Sequence, residues 1–402
     1  MWVSHVAVDD FRSWKHGVVT FDRGSTVLLG PNGQGKTNLV EAIAYLSTFS
    51  SHRVSADGAL VRVPMSGDEA VPGGAVIRVK LVAGNGREQV IELEIVRGQA
   101  NRAKINRTQV RPRDVLGLVK TVVFAPEDLS IVRGDPAVRR KFLDDLATQL
   151  HPLFASTRSD FDRVARQRAA LMKAAQVQVR RGGTPDLSTI DVFDESFARL
   201  SAQVTAARCA AVRALAEPAR RAYEMIAQSE RSLSIALDAS VDRMIGVDPD
   251  RLDSGDLESV DGQIDRLMAA LVSVRDKEID RGINLVGAHR DDLAVFLGQM
   301  PVKGFASHGE SWSAVLSLRL GSFEVLSTDE DTPILILDDV FAELDAARRQ
   351  GLADMAMGAD QVIVTAAVDE DVPANVESHV KHVRYDGIRG TFIDELTDPD
   401  GQ

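Results

Sequence analysis

Residues 30–37 read Gly30-Pro31-Asn32-Gly33-Gln34-Gly35-Lys36-Thr37, and this stretch decides the fold of the chain. It matches the pattern G-x-x-x-x-G-K-[ST] at every position. The apolar run at residues 25–29 predicts a buried strand before it, and Leu39, Ile43 and Leu46 recur behind it at helical spacing. A strand, a glycine-rich turn and a helix in this order predict a P-loop, which holds the phosphates of a nucleotide.

Each residue type in this loop has a physical role. Glycines let backbone N–H groups turn toward the phosphates, and the helix N-terminus adds the positive end of its dipole. Lys36 is expected to reach the β- and γ-phosphates of ATP, and the Thr37 hydroxyl is expected to bind Mg²⁺. The predicted nucleotide-binding residues form one run: Gly30, Pro31, Asn32, Gly33, Gln34, Gly35, Lys36, Thr37 and Asn38.

A second apolar strand, at residues 333–337, ends in two carboxylates. Asp338 is the expected Mg²⁺ ligand, and Asp339 is expected to position or activate the water that attacks the γ-phosphate. A helix cap is the alternative role for Asp339. Residues 361–365 form another continuous apolar run. Strands of this kind that alternate with helices predict a parallel sheet covered on both faces.

The segment Ala306-Ser307-His308-Gly309-Glu310 resembles the signature L-S-G-G-Q of ABC ATPases. Ser307 and Gly309 stand in the matching places, whereas His308 and Glu310 depart from the consensus. In ABC ATPases this segment binds the nucleotide held by a partner subunit, so the resemblance implies an ATP-dependent homodimer. Ser307 and Glu310 also form a capping-box pattern. The two interpretations are compatible, because a capped helix N-terminus can receive a phosphate.

The chain between these motifs changes character. Alternating strands flank a hairpin signal at Asn85-Gly86. Residues 136–280 have a mainly helical pattern, which Pro152, Pro185, Pro218 and Pro249 are expected to break into short pieces. The predicted fold class is α/β. An ABC-type P-loop ATPase head is formed from both chain ends, residues 1–135 and 281–402, with an inserted, mainly helical arm domain at residues 136–280.

The charge distribution bears on nucleic acid binding. A net charge of −12 argues against such binding if considered alone, because phosphate binding needs cations. The position of the charge matters more than the sum, and residues 158–181 hold seven cations against two acids. We expect Arg163, Arg166 and Arg168 in this run to contact DNA. A solvated helix face is the alternative.

Cysteine content and hydropathy bear on the compartment. Cys209 is the single cysteine, so an internal disulfide and a Cys-x-x-Cys zinc site are both excluded. The N-terminus has no basic segment followed by an apolar one, and the apolar runs are too short to span a bilayer. We therefore expect a cytoplasmic, nucleoid-associated protein with no membrane partner.

Six motifs, in order, resemble those of the RecF family of bacterial recombination and repair proteins. They are Asp10-Phe11-Arg12-Ser13-Trp14, residues 30–41, residues 124–129, residues 139–144, residues 287–293 and residues 337–345. The likeness covers nearly the whole chain and is weakest between about 180 and 275. It implies an ATP-dependent dimer that binds duplex DNA and single-strand/duplex junctions and hydrolyses ATP slowly. It also implies a role in repairing gaps and stalled forks, with RecR and RecO as partners.

Some positions depart from the related families or have two plausible roles. Ala288 stands where proline is usual in RecF, and Thr365 stands near the place of the γ-phosphate histidine of transporters, which favours slow turnover. Arg12 is expected to contact the nucleotide and Trp14 to stack near its base, although either could be an ordinary surface residue. The remaining open positions are Glu127, a candidate metal ligand, and His289 and Arg290, which could face phosphates or DNA or pair with Asp291 or Asp292.

Three other functions remain as alternatives. A transporter ATPase subunit would be compact and would carry a glutamate after Asp338, where this chain has Asp339. An SMC-like or nuclease-associated chromosome ATPase would carry longer arms than this chain allows. An ATP-switched DNA clamp with negligible turnover is disfavoured by the intact pair of carboxylates.

Overall fold

The computed structural model describes residues 1–54, 56–64, 70–227, 230–245, 259–372 and 378–394. The chain packs into two compact units. The first consists of Met1–Leu129, Arg221–Ser229 and Trp312–Gln402, and the second consists of Ser130–Arg220 and Glu230–Ser311. Within the described ranges, no helix is both long enough and apolar enough to cross a membrane.

Strands predominate at both ends of the chain, and helices predominate between them. The strands are β1 (Trp2–Phe11), β2 (Trp14–Thr20), β3 (Gly24–Leu29), β4 (Gly74–Val82), β5 (Glu88–Val96), β6 (Arg102–Ile105), β7 (Thr108–Val110), β8 (Thr121–Phe124), β9 (Leu233–Asp238), β10 (Asp292–Leu297), β11 (Met300–Pro301), β12 (Ile334–Asp338), β13 (Gln361–Ala366), β14 (Ser378–Asp386) and β15 (Gly390–Asp394). The helices are α1 (Lys36–Thr48), α2 (Leu129–Arg133), α3 (Pro136–Leu150), α4 (Phe154–Arg180), α5 (Ser188–Ile226), α6 (Ser240–Ile245), α7 (Val260–Arg281), α8 (Val302–Phe305), α9 (His308–Leu326) and α10 (Ala346–Ala356).

One large sheet organises the first unit, with the strand order β7-β6-β5-β4-β1-β2-β15-β14-β3-β13-β12-β8. β3 runs parallel to both β13 and β14, with Thr26 opposite Ile363 on one side and His379 on the other. A strand from the start of the chain is therefore hydrogen-bonded between two strands from its end. This confirms the prediction that one α/β head is formed from both chain ends.

The antiparallel part of the sheet also follows the sequence pattern. β4 and β5 pair with Ile77 opposite Leu93, and both side chains are fully buried. Gly86 in the connecting turn has φ 80°, a conformation that glycine adopts without steric cost. The predicted hairpin at Asn85-Gly86 is thereby confirmed.

Apolar burial fixes α1 against this sheet. Leu39, Ile43 and Leu46 are fully buried in the core of the first unit. Burial of each such side chain stabilises the fold by roughly 1.5–3 kcal/mol relative to exposure. The position of α1 in turn places the loop that precedes it at the end of β3.

The second unit begins earlier and ends later than the predicted arm. It starts at Ser130 instead of 136 and continues to Ser311 instead of 280, while Arg221–Ser229 belongs to the first unit. The difference has a physical cause, because β9, β10 and β11 form a small antiparallel sheet in which Ala236 lies opposite Ala294. The helical periodicity of the arm gave no sign of this long-range pairing.

The prediction that Pro218 breaks a helix is wrong. Pro218 lies inside α5, which runs through 39 residues. An interior proline costs about 3 kcal/mol through its missing N–H and its ring clash. Leu215, Ala219 and Tyr223 are all fully buried beside it, and their burial offsets that cost. Pro152 and Pro185 do lie outside helices, and Pro249 is outside the described residues.

Candidate functional site

The P-loop connects the end of β3 to the start of α1, as the sequence predicts. Gly33 and Gly35 have φ 83° and 95°, which disfavours any residue with a Cβ atom. A Cβ at Gly35 would also lie 2.5 Å from the Ser13 hydroxyl and 2.4 Å from the Thr391 hydroxyl. No side chain caps the first turn of α1. Its backbone N–H groups are therefore available to an anion.

Neighbouring elements hold the loop in this shape. The Trp14 indole donates a hydrogen bond of 3.1 Å to the Gly35 carbonyl, and the Gln34 side chain accepts one of 2.6 Å from the backbone N–H of Tyr385. Asn38 donates to the Ser13 hydroxyl at 2.7 Å and accepts from Arg53 at 2.8 Å. The loop is thus preorganised by contacts outside the motif itself.

Lys36 is buried at the centre of this loop. Its ammonium group donates to the carbonyl of Gly30 at 2.6 Å and to that of Pro31 at 3.3 Å. Burial lowers the pKa of Lys36 below its ordinary value, and the nearby charges of Asp339 and Asp338 partly oppose that shift. Charged phosphate oxygens would stabilise this buried ammonium group better than the neutral carbonyl oxygens do.

The structure brings together Thr37 and Asp338, which are 301 positions apart. The Thr37 hydroxyl donates to Asp338 Oδ1 at 2.9 Å, and the Thr365 hydroxyl donates to the same oxygen at 2.6 Å. Burial raises the pKa of Asp338 to about 6, and the charges of Asp339 and Glu127 add to this, whereas the two hydroxyl hydrogen bonds oppose it. A buried carboxylate beside a hydroxyl fits a hard divalent cation, because a cation would favour the ionised form.

Asp339 follows with an uncommon backbone conformation. Its φ is 50°, in the left-handed region, where a non-glycine residue is strained by roughly 1–2 kcal/mol. The backbone N–H of Asp339 donates to the Thr365 hydroxyl at 3.0 Å. Asp339 lines a cleft with Asn32 of the P-loop and Glu343. Thr365 therefore links both carboxylate residues, and Asp339 faces the space beside the P-loop.

His52 belongs to this site, although nothing in the sequence pattern pointed to it. Its Nε2 lies 4.0 Å from Asp338 Oδ2 and has no hydrogen-bond partner among the described residues. Burial lowers the pKa of His52, so the ring is neutral at pH 7. A histidine four residues beyond the end of α1 carries no recognisable signal in one sequence, because its proximity to Asp338 arises only on folding.

Two predicted nucleotide contacts, Trp14 and Arg12, form contacts with other parts of the first unit. Trp14 does not stack near a base, because its ring is fully buried in the core and its N–H serves the P-loop. Arg12 lines a cleft with Gly33 and Asn38, but its guanidinium binds both oxygens of the buried carboxylate of Glu41, at 2.7 and 2.8 Å. Arg12 therefore anchors the back of α1, and its contact with a nucleotide stays a prediction.

The signature-like segment lies in the second unit. The backbone N–H of Ser307 donates to the Glu310 carboxylate at 2.9 Å, and the backbone N–H of Glu310 donates to the Ser307 hydroxyl at 3.2 Å. This reciprocal pair is a capping box at the start of α9, in which Gly309 is the second residue. The capping role is thus observed, whereas the contact of Ser307 and Gly309 with nucleotide stays a prediction.

The prediction that Arg168 contacts DNA is wrong. Arg168 is fully buried and donates to Asp194 at 2.6 Å, Glu278 at 2.7 Å and the side chain of Asn284 at 2.8 Å. Two carboxylates balance its charge in the interior of the second unit. Arg163 and Arg166 are exposed on the same helix and stay candidates.

His289 and Arg290 are not paired with the acids that follow them. Asp291 accepts from the Thr205 hydroxyl and the backbone N–H of Ser240, and Asp292 accepts from Nε and Nη2 of Arg139 in α3. Burial lowers the pKa of His289 to about 4, so this ring is neutral at pH 7. The alternative in which His289 or Arg290 pairs with Asp291 or Asp292 is therefore not observed among the described residues, and a contact with phosphates or DNA stays a prediction.

Comparison with known proteins gives consistent matches. Residues 2–387 match the family model of the RecF/RecN/SMC N-terminal domain. The DNA replication and repair protein RecF of Streptomyces avermitilis is 48% identical over 93% of this chain and 95% of its own length. The protein of the same name in Rhodococcus erythropolis is 47% identical over 94% of this chain and 92% of its own length.

Solved structures agree with these matches. A structure of the recombination mediator protein RecF with ATP, in the RecFOR pathway, aligns with a TM-score of 0.80 at 25% identity, covering 98% of this chain and 97% of that one. An SMC head bound to the C-winged helix domain of ScpA aligns with a TM-score of 0.53 at 14% identity, covering 98% of this chain and 97% of that one. The second likeness concerns the fold alone.

Proposed function

The chain belongs to the RecF family, within the wider group of RecF/RecN/SMC ATPases, and from this premise we propose that it is an ATP-dependent DNA-binding protein of replication and repair. The observation that supports the proposal most strongly is the joining of the P-loop to the buried Asp338 through the Thr37 hydroxyl at 2.9 Å. This arrangement presents backbone N–H groups, a buried ammonium and a metal-binding carboxylate to one triphosphate.

ATP is the proposed ligand of the P-loop. The uncapped first turn of α1 would receive the phosphates, and Lys36 would exchange its two carbonyl partners for β- and γ-phosphate oxygens. Thr37 and Asp338 would hold Mg²⁺, which when bound neutralises charge between the phosphates. Gly30, Pro31, Asn32, Gly33, Gln34, Gly35 and Asn38 would shape or line the phosphate site.

We further propose slow hydrolysis. Asp339 lies in the cleft beside Asn32 and would orient the attacking water. Thr365 is the nearest equivalent of a γ-phosphate-sensing histidine, but its hydroxyl already contacts Asp338 and the backbone of Asp339. A hydroxyl that already has these two partners would form only a weak contact with the γ-phosphate and would stabilise the transition state of hydrolysis little. This supports a low turnover number.

The proposed ATP-bound state is a homodimer. Ser307 and Gly309 of one copy would contact the γ-phosphate of the ATP held by Lys36 of the other copy. The position of residues 307–310 supports this, because they lie at the N-terminus of α9, the positive end of that helix's dipole. Symmetry would then form two such contacts at once. Hydrolysis would remove the shared phosphate and loosen the dimer.

We propose that the protein binds DNA, either as duplex or as a single-strand/duplex junction. Arg163 and Arg166 are both exposed on α4, where Arg163 pairs with the exposed Asp160 and Arg166 forms no ion pair among the described residues. Their position supports binding to the phosphate backbone with little sequence preference. RecR and RecO are proposed as protein partners because the solved relative is placed in the RecFOR pathway.

The proposal is tested by measuring the affinity for duplex, single-stranded and gapped DNA with ATP, with a non-hydrolysable analogue and without nucleotide. We expect tight binding with ATP or the analogue and weak binding without nucleotide. Lys36→Ala should show the weak binding in all three conditions. Equal affinity with and without nucleotide would contradict ATP-dependent DNA binding.

A further inference from the structure

A cleft on the second unit carries two arginines that the nucleotide site does not use. It is an open groove of about 510 Å³ between α4 and residues 283–290. Arg166 contributes from the helix and Arg290 from the facing segment. A space of this size is in the range of pockets that take a ligand as large as a nucleotide.

Small side chains create the floor of this cleft. Ala165 and Ala169 are one helical turn apart on the face of α4 that also carries Arg166. The Asn284 side chain donates to the Ala165 carbonyl at 2.8 Å and accepts from the buried Arg168 at 2.8 Å. These two bonds fix the facing segment to the helix, so the cleft is present before any ligand binds.

The two arginines have no acidic partner. Arg166 donates to the backbone carbonyl of Asp162 at 3.1 Å, and Arg290 donates twice to the backbone carbonyl of Asn284, at 3.1 and 3.3 Å. Among the residues that the structure describes, no carboxylate forms an ion pair with either guanidinium. The carboxylate that lines the cleft, that of Asp162, pairs with Arg158 instead.

The two cleft arginines differ in this respect from Arg163, which is exposed on the same helix as Arg166. Arg163, by contrast, pairs with Asp160 at 2.9 Å. Two uncompensated cations in one cleft, on a chain with a net charge of −12, identify a site for an anion. His289 forms part of the wall but adds no third charge, since burial holds its pKa near 4.

We propose that this cleft binds one phosphate group of a nucleic acid strand between Arg166 and Arg290, with the adjoining sugar against the floor of Ala165 and Ala169. The planar guanidinium fork matches phosphate oxygens, and the alanines and Ile283 offer the sugar an apolar contact. The proposal rests on the DNA binding proposed above and gives it a specific site. The phosphate can come from an internal phosphodiester or from a strand end.

The test uses the full chain with ATP and fluorescent DNA, and it measures affinity by anisotropy as a function of salt. The test variant is Arg166→Gln with Arg290→Gln, and the matched control is Lys173→Gln with Arg180→Gln, which removes the same charge from exposed positions of α4 outside the cleft. One phosphate contact changes the slope of log K against log salt by about 0.9, which corresponds to about eightfold in affinity at 0.1 M salt.

The test variant should bind DNA about eightfold more weakly at 0.1 M salt, and its slope of log K against log salt should be smaller by about 0.9. The control should change much less in both quantities. Ala169→Glu, which keeps both arginines and places a carboxylate on the floor, should weaken binding similarly, and this guards against a folding defect in the double variant. DNA with and without a 5′-phosphate distinguishes an internal phosphodiester from a strand end as the source of the phosphate. If the cleft binds a terminal phosphate, wild type and test variant should bind DNA that lacks this phosphate with equal affinity.

Two results would overturn the inference while leaving the proposed function intact. One is a test variant that binds as tightly as wild type, and the other is a control that weakens binding as much as the test variant. Wild-type protein that binds no DNA at all would instead contradict the proposed function itself.

Discussion

Replacement of Thr365 by valine removes a hydroxyl that touches both carboxylate residues of the nucleotide site. Valine keeps the shape and the branched Cβ that suit β13. The hydroxyl donates to Asp338 Oδ1 at 2.6 Å and accepts from the backbone N–H of Asp339 at 3.0 Å, and Thr365 is 2% exposed. The substitution therefore breaks two hydrogen bonds without creating a cavity.

The magnitude follows from these two bonds. A hydrogen bond to a charged group is worth about 1.5–3 kcal/mol, and a buried N–H left unpaired costs about 1–3 kcal/mol. The Asp339 N–H is only partly buried, so water restores some of the second contribution. We expect Thr365→Val to lower the free energy of unfolding by about 2–4 kcal/mol. We also expect a fall in kcat of at least about tenfold, since a misplacement of Asp339 costs about 1.4 kcal/mol or more in the barrier.

Calorimetric unfolding and steady-state ATP hydrolysis measure the two effects, with Thr365→Ser as the matched control that keeps the hydroxyl. The serine variant should recover most of the activity. The reasoning is refuted if valine hydrolyses ATP at the wild-type rate, or if serine is as impaired as valine.

Three further substitutions test separate parts of the account. Lys36→Ala should abolish hydrolysis and weaken ATP binding measured by calorimetric titration, because it removes the buried ammonium at the phosphates; wild-type turnover would contradict the P-loop assignment. Asp339→Asn should bind ATP normally yet fail to hydrolyse it, and normal turnover in this variant would reduce Asp339 to a structural role. His289→Gln should flatten the pH dependence of stability. Because its folded pKa is about 4 and its unfolded pKa is 6.5, wild type loses stability as pH falls from 6.5 toward 4. That loss is about 3 kcal/mol in total. Urea unfolding at pH 7.5 and 4.5 should therefore show a larger fall in the free energy of unfolding for wild type than for the variant, and an equal fall in both proteins would contradict the prediction.

The sequence predicts those parts of the nucleotide site whose residues are close together in the chain. The glycines, Lys36 and Thr37 are contiguous, and their spacing expresses one physical requirement, that of a phosphate at a helix N-terminus. Asp338 could also be predicted from the sequence, because a continuous apolar strand that ends in a carboxylate has a recognisable pattern. These inferences needed no long-range contacts.

The misassigned residues are those whose role depends on distant partners. A run of cations does not distinguish an exposed arginine from Arg168, because the carboxylates that neutralise it lie 26 and 110 positions away. Trp14 was similarly ambiguous, since only folding places its N–H against Gly35. His52 was missed for the same reason. Pro218 was misjudged because helix propensity ignores the burial of its neighbours.

We propose that ATP joins two copies of this chain, with Ser307 of each copy at the nucleotide of the other. Sedimentation velocity with ATP or a non-hydrolysable analogue tests it directly on wild type, Ser307→Arg and Glu310→Ala. Glu310→Ala breaks the same capping box without placing a bulky group at residue 307. We expect a nucleotide-dependent dimer for wild type and for Glu310→Ala, and a monomer that still binds ATP for Ser307→Arg. A wild type that stays monomeric with nucleotide, or a Ser307→Arg variant that dimerises, would contradict it.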